Sequence, residues 1–167
     1  MFEYSNIGAT LAAVVLEIAT GESFDAFTRD NILKPLNMFS SGWSFNNIDI
    51  ASHTKLYTNT NTEIPYYSLI TYTDGVLITS SNDLSKYLIE LLKGFSGKGT
   101  ILKKESYKTF FTKQLNAKNF PEEDSGENEG VFLGFKSNGL IGHSGGDPGV
   151  TTYMFFDPNT NIGIIVL

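Results

Sequence analysis

The sequence predicts an α+β fold in which helices pack on an antiparallel sheet. Helical patterns occupy the chain up to about residue 120, and strand patterns separated by short turns occupy residues 131–167. Helices that precede a run of hairpin-connected strands are typical of this layering. The chain has 167 residues, of which 41% are hydrophobic, so its length and composition suit one globular domain.

Apolar residues at helical spacing predict four helices. Leu11, Val14, Val15 and Ile18 share one face of a helix over residues 7–20, with Asn6 as the N-cap and Gly21 as the C-terminal stop. The same reasoning predicts helices over residues 24–33, 80–93 and 104–114. Of these, the first starts after Ser23 and stops before Pro35, and the second starts at a Ser80–Asp83 capping box and stops at Gly94.

Strand patterns follow an acidic segment, residues 121–130, which we expect to be a solvent-facing loop. The predicted strands cover residues 131–135, 140–143, 151–156 and 162–167. Asn138-Gly139 is a hairpin signal between the first two strands. Residues 157–161 carry the turn formers that connect the last two.

Composition excludes several classes of function. The net charge is 12 − 18 = −6, which disfavours nucleic acid and anionic membranes as partners. The absence of Cys excludes disulfides and thiolate zinc sites, and two His without a carboxylate cluster do not predict a metal site. The glycines match no nucleotide-binding motif, so no cofactor is expected. No stretch has the ~20 apolar residues that span a bilayer.

Two short motifs could carry chemistry. Tyr4-Ser5-Asn6 lies immediately before the first helix, and His143-Ser144-Gly145-Gly146 lies at the end of a predicted strand. Each has a purely structural interpretation. The first could be a buried Tyr followed by a helix cap, and the second could be a glycine-rich link with a solvent-facing His.

Taken together and in this order, the motifs resemble the serine β-lactamase and penicillin-binding-protein superfamily, in its class C branch. That branch also contains D-alanyl-D-alanine carboxypeptidases, D-aminopeptidases and esterases. Further landmarks are similar to the family pattern, in the right order and over nearly the whole chain: Glu17-Ile-Ala-Thr-Gly21, Ile32-Leu-Lys-Pro-Leu-Asn-Met38, Asp74-Gly-Val-Leu-Ile-Thr-Ser-Ser-Asn-Asp-Leu84 and Leu133-Gly-Phe135.

The resemblance implies roles for the residues of both motifs. Tyr4 would be the general acid/base, and Asn6 would donate a hydrogen bond to the substrate amide. His143 would take the place of the family's Lys, and the Gly146 amide would form half of the oxyanion hole. Ser144, Gly145 and Gly146 would also bind the substrate. A phenol is a poor base at neutral pH, so this chemistry needs cationic neighbours.

The sequence departs from the family at the nucleophile. The Ser-x-x-Lys motif belongs upstream of Tyr4, where only three residues stand, and the string Ser52-His-Thr-Lys55 follows Tyr4. About one such string is expected by chance, and we do not expect Ser52 to be a nucleophile. Residues 1–167 are thus expected to be a partial domain, the C-terminal portion of a serine hydrolase acting on a β-lactam, D-amino-acid peptide or ester. We expect the isolated chain to be inactive.

Two alternatives stay open: a non-catalytic binding or interaction module on the same scaffold, and an unrelated α+β domain. The expected partners are a small-molecule or peptide substrate and the missing N-terminal segment of the domain. Self-association or element exchange is also expected, since the first helix and the apolar end at Leu167 should expose surface. By resemblance, the location is expected to be extracytoplasmic.

Overall fold

A computed structural model describes residues 3–59, 62–116, 118–119 and 127–167. The chain divides into two compact units. The first comprises the residues up to Tyr4 together with Tyr87–Ser144 and Tyr153–Val166, and the second comprises Ser5–Lys86, Gly145–Thr152 and Leu167. Most of the predicted acidic loop, residues 121–126 of 121–130, lies outside the described residues.

The described elements confirm the predicted α+β class. The α-helices are α1 (Asn6–Thr20), α2 (Phe24–Thr28), α3 (Ser81–Phe95) and α4 (Lys104–Phe110). The strands are β1 (Leu56–Asn59), β2 (Thr62–Ile64), β3 (Asn128–Glu129), β4 (Gly134–Phe135), β5 (Ile141–Asp147), β6 (Val150–Asp157) and β7 (Ile162–Val166). β1 and β2 form an antiparallel pair, and the five later strands form one sheet in sequence order.

α1 matches the predicted helix, but its cap differs. Ser5, not Asn6, is the N-cap, because Ser5 has extended backbone angles and its Oγ accepts a hydrogen bond from Gly8 N at 3.1 Å. Asn6 is already the first helical residue. Gly21 ends the helix as predicted, with φ +73° in the left-handed region that glycine adopts without strain.

Of the other three predicted helices, α2 covers its predicted span, whereas α3 and α4 end at different residues than predicted. α2 begins after Ser23 as expected, but a π-helix, Arg29–Leu33, completes the predicted span. α3 continues through Gly94, where an added Cβ would lie 2.2 Å from the Tyr107 ring, so this glycine serves packing and not termination. α4 stops at Phe110, because the chain beyond it turns and Gln114 N donates to the Glu129 carbonyl at 2.7 Å.

Two strand predictions need correction. Only Gly134–Phe135 of the predicted strand 131–135 is extended, because Phe132 has φ +58° and Gly130 N donates to the Leu133 carbonyl at 2.7 Å in a tight turn. The strand predicted to stop at His143 continues to Asp147. The glycine-rich segment is therefore part of β5 and not a link after it.

The core of the first unit lies between two helices and one face of the sheet. Leu88 and Leu91 from α3 pack with Leu133, Phe135, Ile141 and Phe156. Phe110 at the end of α4 and the adjacent Phe111 pack against this cluster. Phe156 is fully buried. In β7, Ile165 faces this core, while alternate residues, Ile162, Ile164 and Val166, are exposed on the opposite face.

In the second unit, two polar anchors fix the irregular segment that follows α2. Trp43 donates from Nε1 to Thr28 Oγ1 at 2.8 Å and packs edge-on against Phe24. The buried Asp83 carboxylate accepts from Ser40 N at 2.7 Å and also pairs with Lys86 at 2.6 Å. Asp83 therefore does not complete the predicted capping box with its side chain, although its amide does donate to Ser80 Oγ.

α1 presents a long apolar stripe to solvent. Ile7, Leu11, Val15 and Ile18 are each at least 60% exposed. Among the described residues, no single helix is long and apolar enough to cross a membrane. One bent pair, Asn6–Thr20 with Phe24–Leu33, passes that test by length and composition alone.

Candidate active site

Tyr4 and His143 come together in the first unit although 138 residues lie between them in the chain. Their ring centroids are 6.2 Å apart and their planes are inclined by 30°. Tyr4 is 63% exposed, and the stretch of β5 that begins at His143 is also exposed. The phenol and the imidazole are therefore both accessible to a small molecule from solvent.

Glu129 is a third ionisable group near this pair, and sequence analysis missed it. It lies on β3, opposite Gly134, which in turn pairs with Gly142 next to His143. Burial raises the pKa of the Glu129 carboxyl, and the positive charges of Lys136 and His143 oppose that rise. Because Glu129 ends an acidic run, its sequence context predicted a solvated side chain, whereas the structure half-buries it.

Asn6 and the glycines of β5 belong to the second unit. Asn6 is the first residue of α1 and is exposed. An added Cβ at Gly145 would lie 2.8 Å from Thr152 Oγ1, so the neighbouring strand explains this glycine. At Gly146 no described atom lies within 4 Å of an added Cβ, and its φ is not in the left-handed region.

Gly146 is therefore a glycine that the described fold does not require. Glycine in a strand interior weakens the strand, and it commonly marks a place where another backbone or a ligand approaches closely. Exposed Ser144 precedes these glycines on the same strand. β5 thus offers an accessible stretch of backbone with open space beside it, which suits a substrate amide or an oxyanion.

The chance Ser-x-x-Lys string does not form a catalytic pair. Ser52 ends a 3-10 helix and its hydroxyl donates to Asp49 at 2.8 Å. Lys55 Nζ is engaged by Glu63 at 2.7 Å. Within the described part of the chain, no three His, Asp or Glu side chains are grouped so that they could hold a metal ion.

Helices on an antiparallel sheet are the architecture of the β-lactamase and transpeptidase fold, to which the structural neighbours of this chain belong. The family model named Beta-lactamase matches residues 1–167. The chain belongs to the β-lactamase family, and this confirms the superfamily recognised from its motifs.

Known proteins of similar sequence or structure agree with that assignment. Protein flp from Staphylococcus aureus strain MRSA252 is 24% identical over 174 residues, covering 99% of this chain and 33% of the relative. The octameric penicillin-binding protein homologue from Pyrococcus abyssi aligns with TM-score 0.78 and 26% identity over 99% of this chain and 38% of that one. The D-amino acid amidase from Ochrobactrum anthropi SV3 aligns with TM-score 0.78 and 23% identity, covering 99% of this chain and 49% of the amidase.

A class C β-lactamase aligns with TM-score 0.76 and 15% identity, covering 97% of this chain and 50% of the enzyme. The chain thus spans between a third and about half the length of the relatives that it matches. Identities at this level show the fold, and they leave substrate and reaction to be argued from the site.

Proposed function

We propose that this chain supplies the acid/base and substrate-binding half of a serine acyl-transfer site. The stacked Tyr4–His143 pair is the observation that carries the proposal. The nucleophile would be the Ser of a Ser-x-x-Lys motif contributed from outside these 167 residues, because the Ser52 and Lys55 side chains of the string within them are bonded to Asp49 and Glu63. Alone, the chain would hold the pair without the group that forms the acyl-enzyme.

The two steps of acyl transfer assign a proton movement to Tyr4. In acylation the Ser oxygen attacks the substrate carbonyl, the Tyr4 oxygen takes the Ser proton, and it returns that proton to the leaving group as the acyl–leaving-group bond breaks. In deacylation water takes the place of the Ser hydroxyl and the same proton path runs again, releasing the acid. The Tyr4 oxygen can take this proton only as the phenolate, so positive charge on His143 would stabilise the negative charge that Tyr4 carries before the transfer.

We further propose that β5 binds the substrate. The Gly146 amide would stabilise the oxyanion, and the open space beside Gly146 would admit the acyl group. Asn6 would donate to the substrate amide. The substrate class we favour is a D-amino-acid amide, peptide or ester, because the resemblance places His143 at the position of the family's Lys, as in its peptidase and esterase-like members. The D-amino acid amidase among the structural relatives is consistent with that class.

A double-mutant cycle on the protein encoded by the complete natural reading frame tests this proposal. Tyr4→Phe removes the proton acceptor and should lower kcat/KM for a chromogenic ester by about 10²–10⁴, the usual contribution of general acid–base catalysis. His143→Asn should lower kcat/KM by a smaller factor in the wild-type background, and it should leave kcat/KM almost unchanged in the Tyr4→Phe background. Tyr57→Phe is the matched control, because Tyr57 is an exposed Tyr on β1.

Additive effects of the two substitutions would show that Tyr4 and His143 act separately and would overturn the pairing. A wild-type protein that binds a D-amino-acid peptide but hydrolyses neither ester, amide nor β-lactam would favour the alternative function, a binding module on the same scaffold.

A further inference from the structure

The hairpin between β5 and β6 has a turn that does not suit its strands. The two loop residues are Pro148 and Gly149, and Gly149 has φ +78°. Pro in the first central position and a left-handed Gly in the second are the signature of a type II turn. Two-residue hairpins favour types I′ and II′, because types I and II splay the strands that they connect.

Tyr67 and the β1–β2 pair both lie against this turn. The Tyr67 hydroxyl donates to the Pro148 carbonyl at 3.0 Å, across 81 residues of sequence. An added Cβ at Gly149 would lie 3.1 Å from Leu56 Cβ and 3.2 Å from Ile64 Cδ1, so the turn lies directly against the β1–β2 pair. All of these groups belong to the second unit.

The held segment is the one that carries the substrate-binding glycines. Gly145 and Gly146 lie three and two positions before Pro148 on β5, and Thr152 lies three positions after Gly149 on β6, facing Gly145. The two strands of a hairpin diverge from its turn, so a hydrogen bond that holds Pro148 restrains the direction of the Gly146 amide N–H. The pairing of β5 with β6 and the hydrogen bond from Tyr67 to Pro148 together restrain the backbone around Gly146.

We propose that Tyr67 is a positioning residue for acyl transfer: its hydrogen bond to Pro148 aims the β5 backbone amide that receives the oxyanion. This inference rests on the proposed function of β5. Burial, together with the nearby Asp147 charge, raises the pKa of the Tyr67 hydroxyl, so Tyr67 stays a neutral donor over the working pH range. The tie would therefore hold equally in acid and in neutral solution.

Tyr67→Phe in the protein from the complete reading frame removes this one hydrogen bond and keeps the ring. We expect kcat for a chromogenic ester to fall roughly ten- to hundred-fold, as expected for a displaced oxyanion donor, with KM changed less than about two-fold. Tyr66→Phe is the matched control in the adjacent position. Its hydroxyl lies 3.4 Å from the His53 carbonyl and does not contact the turn.

Hydrogen–deuterium exchange on the same proteins separates this inference from the function beneath it. In Tyr67→Phe, exchange at residues 145–147 should speed up about ten-fold, while β7 should exchange at its wild-type rate. If Tyr67→Phe speeds exchange but the wild-type protein shows no acyl transfer, the restraint by Tyr67 would stand and the proposed function would fall. Unchanged exchange, or faster exchange with an unchanged kcat in an active enzyme, would overturn the positioning role.

Discussion

Gly142 is the position at which the fold tolerates a side chain least. A Cβ added there would lie 2.0 Å from the Met154 carbonyl oxygen, 2.7 Å from Phe155 Cα and 2.8 Å from Phe155 Cδ1. Two of these three atoms are backbone of the neighbouring strand β6, so no side-chain rotation relieves the clash. Gly142→Ala must therefore push β6 away from β5, beside the buried Phe155 and Phe156.

The expected cost follows from that geometry. Overpacking a well-packed core lowers the free energy of unfolding by about 1–3 kcal/mol. Because the clash at Gly142 is with backbone, we expect Gly142→Ala to lower it by about 3 kcal/mol. The total free energy of unfolding of a native domain is only about 5–15 kcal/mol. With a urea m-value of roughly 2 kcal/mol/M, the unfolding midpoint should fall by about 1.5 M.

Gly146→Ala is the matched control, four positions later on the same strand. Its added Cβ meets no described atom within 4 Å, so its effect on the free energy of unfolding should stay within about 0.5 kcal/mol. The assay is urea unfolding followed by circular dichroism, with equal m-values confirming a common transition. Equal midpoints for the two variants would refute the assignment of Gly142 to packing and of Gly146 to open space.

Two further predictions concern other parts of the chain. Burial opposes ionisation of Glu90, but hydrogen bonds from Tyr107 and from the Thr100 and Ile101 amides outweigh it and lower its pKa. This stabilisation is fully present above the unfolded pKa of about 4.3 and is lost as pH falls through the lower folded pKa. By urea unfolding, Glu90→Gln should therefore lower the free energy of unfolding by about 1–3 kcal/mol at pH 7, and this deficit should shrink as the solution is made more acidic. A deficit that does not change with pH would contradict this. Separately, the exposed apolar stripe on α1 should drive self-association, so light scattering should show an oligomer. Leu11→Lys should dissociate this oligomer, whereas the control Asn82→Lys, at an exposed position outside the stripe, should not. A monomeric wild-type protein would contradict this prediction.

The two candidate motifs could be picked out of the sequence because they are local patterns in a fixed order. Tyr4 and His143 were identified by their neighbours, and the structure then brought their rings together. The α1 helix followed from its 3.6-residue period and its glycine stop. Its cap was misassigned because Ser5 and Asn6 are both good capping residues, and only the backbone angles decide between them.

Features that depend on distant contacts could not be predicted in this way. Gly94 has the usual position of a helix stop, but the Tyr107 ring packed against it explains its presence. Glu129 was assigned to solvent by its acidic neighbours, although pairing with β4 half-buries it. The Tyr67–Pro148 hydrogen bond joins an irregular segment to a turn 81 residues away, and neither sequence indicates the other.

The central claim is that this chain forms the acid/base half of a serine acyl-transfer site, and covalent labelling tests it most directly. The protein from the complete reading frame should take up one fluorophosphonate or fluorescent penicillin per molecule, as measured by intact mass. Labelling should slow at least about 100-fold in Tyr4→Phe, and the isolated 167 residues should stay unlabelled. A full-length protein that takes up no label, or an isolated chain that is labelled stoichiometrically, would contradict the account.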